Sequence, residues 1–192
     1  MGLMDVLKSE DYLILDTETT GVDALSEIVQ LAIINAQGKT LMNELIRPVR
    51  PIPQGAIDIH GITNERVKEA RLFPYNEVLN IINGKQVVVY NADFDRAMLY
   101  RSTKAVTENY FDWQRLATWH CVMLEFAKIY NQWDARRRSY RWQKLVTAAA
   151  FYNIPIVDAH DALGDCLTTL KVCEAMIGKT QPNGNTQEKL PF

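Results

Sequence analysis

The stretch LILDTETTG, residues 13–21, constrains the fold more than any other part of the chain. Three apolar residues run straight into Asp16 and Glu18. In an extended strand alternate side chains leave the same face, so the two carboxylates share one side. Like charges held that close repel unless a positive charge sits between them. A fold that keeps this strand must bring a compensating charge to its end. A second apolar run, KQVVVYNADFD at residues 85–95, also ends in acids. A third acidic group, HDALGDC at residues 160–166, opens the last helical pattern.

The surrounding pattern predicts an α/β fold with one mixed sheet. YLILDTE, EIVQLAIINAQG and KTLMNELIRPV read as three consecutive strands joined by short turns, an antiparallel meander. RPVRPIPQ holds Pro48, Pro51 and Pro53 and reads as an extended linker. PQGAIDIHGIT predicts a short helical turn, and Thr63 opens TNERVKEA as a candidate cap. PYNEVLNIING, DRAMLYRSTKA and CVMLEFAKIYN read as helices. RRRSYRWQKLVTAAAFYN reads as a basic helix that turns apolar. HDALGDCLTTLKVCEAMIGK is the last helix, with Leu163, Leu167, Leu170 and Ala175 on apolar positions. Residues 1–178 form one domain in this reading, and 179–192 a flexible polar tail. In such sheets sites gather where strands end, which is where the acids lie.

Composition narrows the partners. The net charge of -2 and pI near 5.9 give no global basic field, so a polyanion must be met by local cations or by metal ions. Cys121, Cys166 and Cys173 are odd in number and lack paired short spacing, which argues against disulfides and a zinc ribbon. The N-terminus is not a signal peptide, and no segment reaches the ~20 apolar residues of a membrane helix. The expectation is a cytoplasmic protein with no membrane partner.

Singly, each acidic group has an ordinary explanation, because Asp and Asn serve as turn residues and helix caps. Together they suit hard divalent cations, which prefer carboxylate oxygens. Two such ions about 3.5–4 Å apart form a clamp for in-line phosphoryl displacement. DTETTG, YNADFD and HDALGD resemble, in order, the three motifs of the DEDDh, or DnaQ-like, 3′–5′ exonuclease family. The resemblance covers about residues 12–177, and RPVRPIPQGAIDIHGIT is similar to a segment of proofreading epsilon subunits and exonuclease X.

The resemblance implies a ribonuclease H-like mixed five-stranded sheet flanked by helices. It implies metal binding by Asp16, Glu18, Asp95 and Asp165, with two ions, Mg²⁺ or Mn²⁺, and His160 as general base. An imidazole suits that role because its ordinary pKa lies near neutral pH. It further implies substrate contacts at Thr17, Thr19 and Asn91, with His60 near the terminal nucleotide. Asp93 and Asp161 fall outside the catalytic set. His120 reads as structural. Tyr90 stands where many relatives have His. The implied reaction is hydrolysis of a terminal phosphodiester from the 3′ end of DNA, single-stranded or frayed, to 5′-mononucleotides. An exoribonuclease like oligoribonuclease or RNase T, and a non-catalytic binding module, stay open.

ARRRSYRWQK has two readings. Arg138 and Arg141 could grip phosphates beside the cleft, or the stretch could be a solvated helix start with Tyr140 and Trp142 packed inward. The last residues, QEKLPF, resemble a sliding-clamp-binding peptide through Gln187, Leu190 and Phe192. A plain polar tail is the alternative.

Overall fold

The computed structural model describes residues 1–107, 111–156 and 158–179. The clamp-like residues Gln187, Leu190 and Phe192 lie outside the described residues. Among the described residues, the elements follow in chain order: α1 (Leu3–Ser9), β1 (Leu13–Thr19), β2 (Ile28–Asn35), β3 (Thr40–Leu45), α2 (Gln54–His60), α3 (Tyr75–Ile82), β4 (Gln86–Val89), α4 (Ala92–Val106), α5 (Trp113–Leu116), β5 (Thr118–Cys121), α6 (Val122–Tyr130), β6 (Trp133–Asp134), β7 (Ser139–Tyr140), α7 (Leu145–Phe151) and α8 (Ala162–Met176).

One mixed sheet of five strands has the order β3-β2-β1-β4-β5. The meander β1–β2–β3 is antiparallel, as the short turns predict. β4 and β5 add in parallel on the other side of β1. β1 is thus central, and alternation along it divides the core. Tyr12 and Ile14 pack with α1, α6, α7 and α8 on one face. Leu13 and Leu15 pack with α3, α4 and α5 on the other. Both faces are covered, which explains why LIL and VVV read as unbroken apolar runs. Cys166 and Cys173 are fully buried in the α8 face, as small apolar residues would be.

The register shifts after Glu18. Glu18 pairs with Gln30 and Thr19 with Ile28, leaving Val29 unpaired at a bulge. Val29 turns into a third cluster with Ile52, Ala56, Ile62 and Val67, beneath α2 and the proline-rich segment.

Two local expectations need correction, and one strand carries no mark in the sequence. The basic stretch is not a helix. Asp134 Oδ1 accepts backbone N–H bonds from Arg136 (3.0 Å) and Arg137 (3.2 Å), and Arg138 takes φ 51°. This side-chain turn competes with helix formation and closes the β6–β7 hairpin. Helix begins only at Leu145. TNERVKEA makes turns, with Thr63 Oγ1 accepting from Arg66 N at 3.2 Å. TWHC, without turn signals around it, is β5, held by its parallel pairing to β4. There His120 lies buried against Gln86 Oε1 at 2.7 Å, the structural role expected of it.

Candidate active site

The site grows from the end of β1. Asp16 and Glu18 share the side of Ile14, toward α8, and Thr17 points the other way. Thr17 is buried, and its Oγ1 donates to Asp95 Oδ1 at 3.0 Å. Asp95 comes from the first turn of α4, on the opposite face from α8. Carboxylates therefore reach the strand end from both layers. Asp93, two residues earlier, is solvent-exposed and ion-paired to Arg96, so it stays outside the cluster.

Asp165 lies in the first turn of α8, and its position is fixed by Asp161. Asp161 Oδ1 caps the helix, accepting from Leu163 N (3.1 Å) and Gly164 N (3.2 Å). Its Oδ2 accepts from Gln30 Nε2 at 2.8 Å, and Gln30 Oε1 accepts from Ala162 N at 3.3 Å. Gln30 faces Glu18 in the sheet, so one side chain ties the Asp165 helix to the Glu18 register. Nothing in the sequence marks Gln30, because its role depends on strand pairing. Replacing Asp161 with Ala is expected to lower stability by about 1–2 kcal/mol, read by urea unfolding.

His160 precedes the cap and lies outside the helix, exposed, with φ 63°. A ring nitrogen of His160 and carboxylate oxygens of Glu18 and Asp165 lie within 4.8 Å of one another, a spacing one cation can span.

The electrostatics express the same crowding. Burial, then the charges of Asp95, Asp165, Glu18 and Asp161, hold the Asp16 carboxyl well above the usual range. Burial, then Asp165, Asp161 and Asp95, push Glu18 up to about 8. Burial raises Asp95 despite the Thr17 hydroxyl bond. Burial raises Asp165 too, and the neighbouring His160 charge opposes it. Four carboxylates whose negative charge is this unfavourable, backed by an imidazole, are a donor set that fits hard divalent cations.

The expected substrate residues take varied positions. Thr19 Oγ1 donates to Gly21 O at 2.8 Å, and Gly21 has φ 153° where the chain leaves β1. Ile62 N–H donates to His60 Nδ1 at 3.0 Å. The other nitrogen, Nε2, then carries the proton and donates to Thr19 O at 3.2 Å. Burial, with His160 nearby, lowers the His60 pKa. Asn91 is the residue before α4 and lines a concavity of about 480 Å³ with Tyr90, Trp142, Lys144, His160 and Asp165. Arg138 sits exposed on the hairpin turn, and Arg141 pairs with Asp134 at 3.4 Å. No contact among the described residues joins either arginine to the acidic cluster.

Trp142 does not pack inward. It is 63% exposed on the wall of the cleft, and Tyr90 Oη donates to the adjacent Gln143 O at 2.9 Å. Tyr90 thus anchors the segment that carries Trp142. The basic stretch signalled this face, but a helical reading misplaced its residues.

The RNase T exonuclease family model matches residues 13–173. An uncharacterized exonuclease, CP81, of Escherichia phage 186 is 37% identical over 175 residues, 87% of this chain and 88% of that protein. The DNA polymerase III epsilon subunit of Rickettsia prowazekii is 37% identical over 91 residues, 43% of this chain and 40% of that one. Exonuclease X in complex with 5′-overhanging duplex DNA is similar in fold, with TM-score 0.60 and 24% identity over 89% of this chain and 95% of that chain. E. coli exonuclease I in complex with a dT13 oligonucleotide gives TM-score 0.68 and 20% identity over 88% of this chain and 41% of that chain. The chain therefore spans about two fifths of the epsilon subunit and of exonuclease I. The sheet order and flanking helices are those of the ribonuclease H-like exonuclease fold.

Proposed function

Because this chain belongs to the RNase T exonuclease family, we propose that it hydrolyses the terminal phosphodiester at 3′ ends of DNA, releasing 5′-mononucleotides. The observation that carries the reading is the meeting of Asp16, Glu18, Asp95 and Asp165 with His160 at one strand end. DNA is favoured over RNA because exonuclease X and exonuclease I are similar in fold and were solved with DNA, and an epsilon subunit of DNA polymerase III is a relative.

Asp16, Glu18, Asp95 and Asp165 would hold two divalent ions, Mg²⁺ or Mn²⁺. When bound, these neutralise the phosphate, ease deprotonation of water and stabilise the leaving oxygen. The acidic net charge is then no obstacle to a polyanionic substrate. His160 takes the proton of the attacking water at a ring nitrogen, from an exposed position at the helix mouth. Thr17 keeps Asp95 aimed at the cluster. Asp161 and Gln30 keep Asp165 and Glu18 in register. Trp142 and Asn91 wall the cleft in which the 3′ end would lie.

Digestion of 5′-labelled single-stranded DNA, duplex DNA and RNA with Mg²⁺ or Mn²⁺ tests the reading. A ladder shortening from the 3′ end of DNA is expected. Faster loss of RNA would make the chain an exoribonuclease, and no cleavage would leave a binding module. His160→Ala should lower kcat by about 10²–10⁴-fold while metal still raises the melting temperature. Loss of that metal effect would make His160 a ligand and not the base.

A further inference from the structure

The cleft does not end at the carboxylates. A second concavity, of about 300 Å³, shares Asn91, Met123 and Trp142 with the first. It runs along α4, with Val22, Phe94 and Arg101 in its walls. A third, of about 490 Å³, shares Ala97 and Arg101 with the second. Its lining includes Leu25, Arg50, Tyr100, Arg101 and Lys104, and contains no carboxylate among the described residues. The three adjoin, so a groove leads from His160 and Asp165 past Trp142 to three cations.

That far end differs from its surroundings in charge and in order. The chain as a whole carries -2, and this lining gathers Arg50, Arg101 and Lys104, with the carboxylates of Glu27 and Asp23 set behind the two arginines. Two of the cations are held in place. Arg101 Nη1 donates to Asp23 O at 2.6 Å, and Arg50 Nη1 donates to Leu25 O at 3.3 Å and pairs with Glu27 at 3.4 Å. Each guanidinium has five N–H donors, so these bonds leave others for an anion. The Arg50 side chain remains 52% exposed. Apolar surface lies alongside, with Val22 80%, Leu25 61% and Tyr100 39% exposed. Fixed cations beside apolar and aromatic surface suit a sugar-phosphate chain.

We propose that the Arg50–Arg101–Lys104 concavity is a second nucleic-acid site, which holds phosphodiester backbone remote from the cleaved 3′ terminus. It rests on the exonuclease reading for the other end of the groove. From Asn91 to Lys104, α4 runs about 20 Å at 1.5 Å per residue. That is about six nucleotides at the duplex rise of about 3.4 Å. The backbone held there belongs either to the digested strand or to its complement.

Lys104→Glu is the test, with Arg115→Glu as a matched charge reversal. Arg115 is on α5 and its side chain is 88% exposed. Fluorescence anisotropy of a labelled 12-mer on metal-free protein reads binding without requiring cleavage. Lys104→Glu is expected to weaken 12-mer binding by about threefold to tenfold and to lower the salt slope by about 1. With metal present, its kcat/KM on the 12-mer should fall relative to that on a trinucleotide. A deficit seen with the single strand assigns the site to the digested strand. A deficit seen only with a recessed 3′ end on a 5′-overhanging duplex assigns it to the complement. Binding unchanged by Lys104→Glu on both substrates, or equally weakened by Arg115→Glu, overturns the proposal. A wild type that binds with this cation dependence but never cleaves supports the site and counts against the exonuclease reading.

Discussion

Asp16→Asn is expected to abolish hydrolysis and, in the same protein without metal, to raise stability at alkaline pH. The loss follows from position. Asp16 sits on the central strand, where burial and then the charges of Asp95, Asp165, Glu18 and Asp161 raise its pKa. Removing a carboxylate shared by so many neighbours should cut kcat by at least about 10³-fold with Mg²⁺. The gain follows from the same crowding. Without metal, an ionised Asp16 is a half-buried charge facing like charges, and the amide removes it at nearly constant volume. Thermal unfolding in EDTA at about pH 8.5 should show the Asp16→Asn protein melting above wild type. An inactive variant that also melts lower would mean that Asp16 serves the fold rather than a metal. An active variant would remove it from the site.

The second large effect belongs to the unmutated chain. Glu18 is pushed up to about 8, and Asp16, Asp95 and Asp165 are also raised. A carboxyl whose folded pKa exceeds its unfolded value binds its proton more tightly when folded. Its contribution to stability is complete below the unfolded value, about 4.3 for Glu, and is lost as pH rises through the folded value. For Glu18 that window runs from about 4.3 to about 8. Across it, metal-free protein should lose stability from this group on the order of several kcal/mol. Divalent metal replaces the protons, so the melting-temperature gain on adding Mg²⁺ or Mn²⁺ should grow from about pH 5 to about pH 8. Calorimetry in buffers of different ionisation enthalpy should also detect proton release on metal binding. A metal effect that does not vary with pH would contradict the crowded site.

Part of this was legible from residues because the relevant signals are local. The strand pattern of LILDTE, the meander and the opening of α8 depend on nearby residues, and the acids mark strand and helix ends. Asp161 as a cap and Cys166 as core follow the same logic. What was hidden depends on pairing. β5 is four residues whose extended form comes from β4. Gln30 matters only because the bulged register puts it opposite Glu18. Trp142 faces the cleft because Asp134 turns the chain into a hairpin and Tyr90 anchors the next segment. No helical periodicity could reveal that.

In the proposed site, the split of the carboxylates among β1, α4 and α8 also sets when chemistry could begin. Asp16 and Asp165 are separated by 149 positions and meet only when α8 packs across β1 and β2. During synthesis from the N-terminus, the sheet strands emerge long before residues 162–176. A nascent chain that has not reached Ala162 holds two strand carboxylates and Asp95 but neither the capped turn that presents His160 nor Asp165. It would thus be harmless to the nucleic acid around it. On the proposed reading, closure of the last helix would complete the core and the carboxylate site in one event.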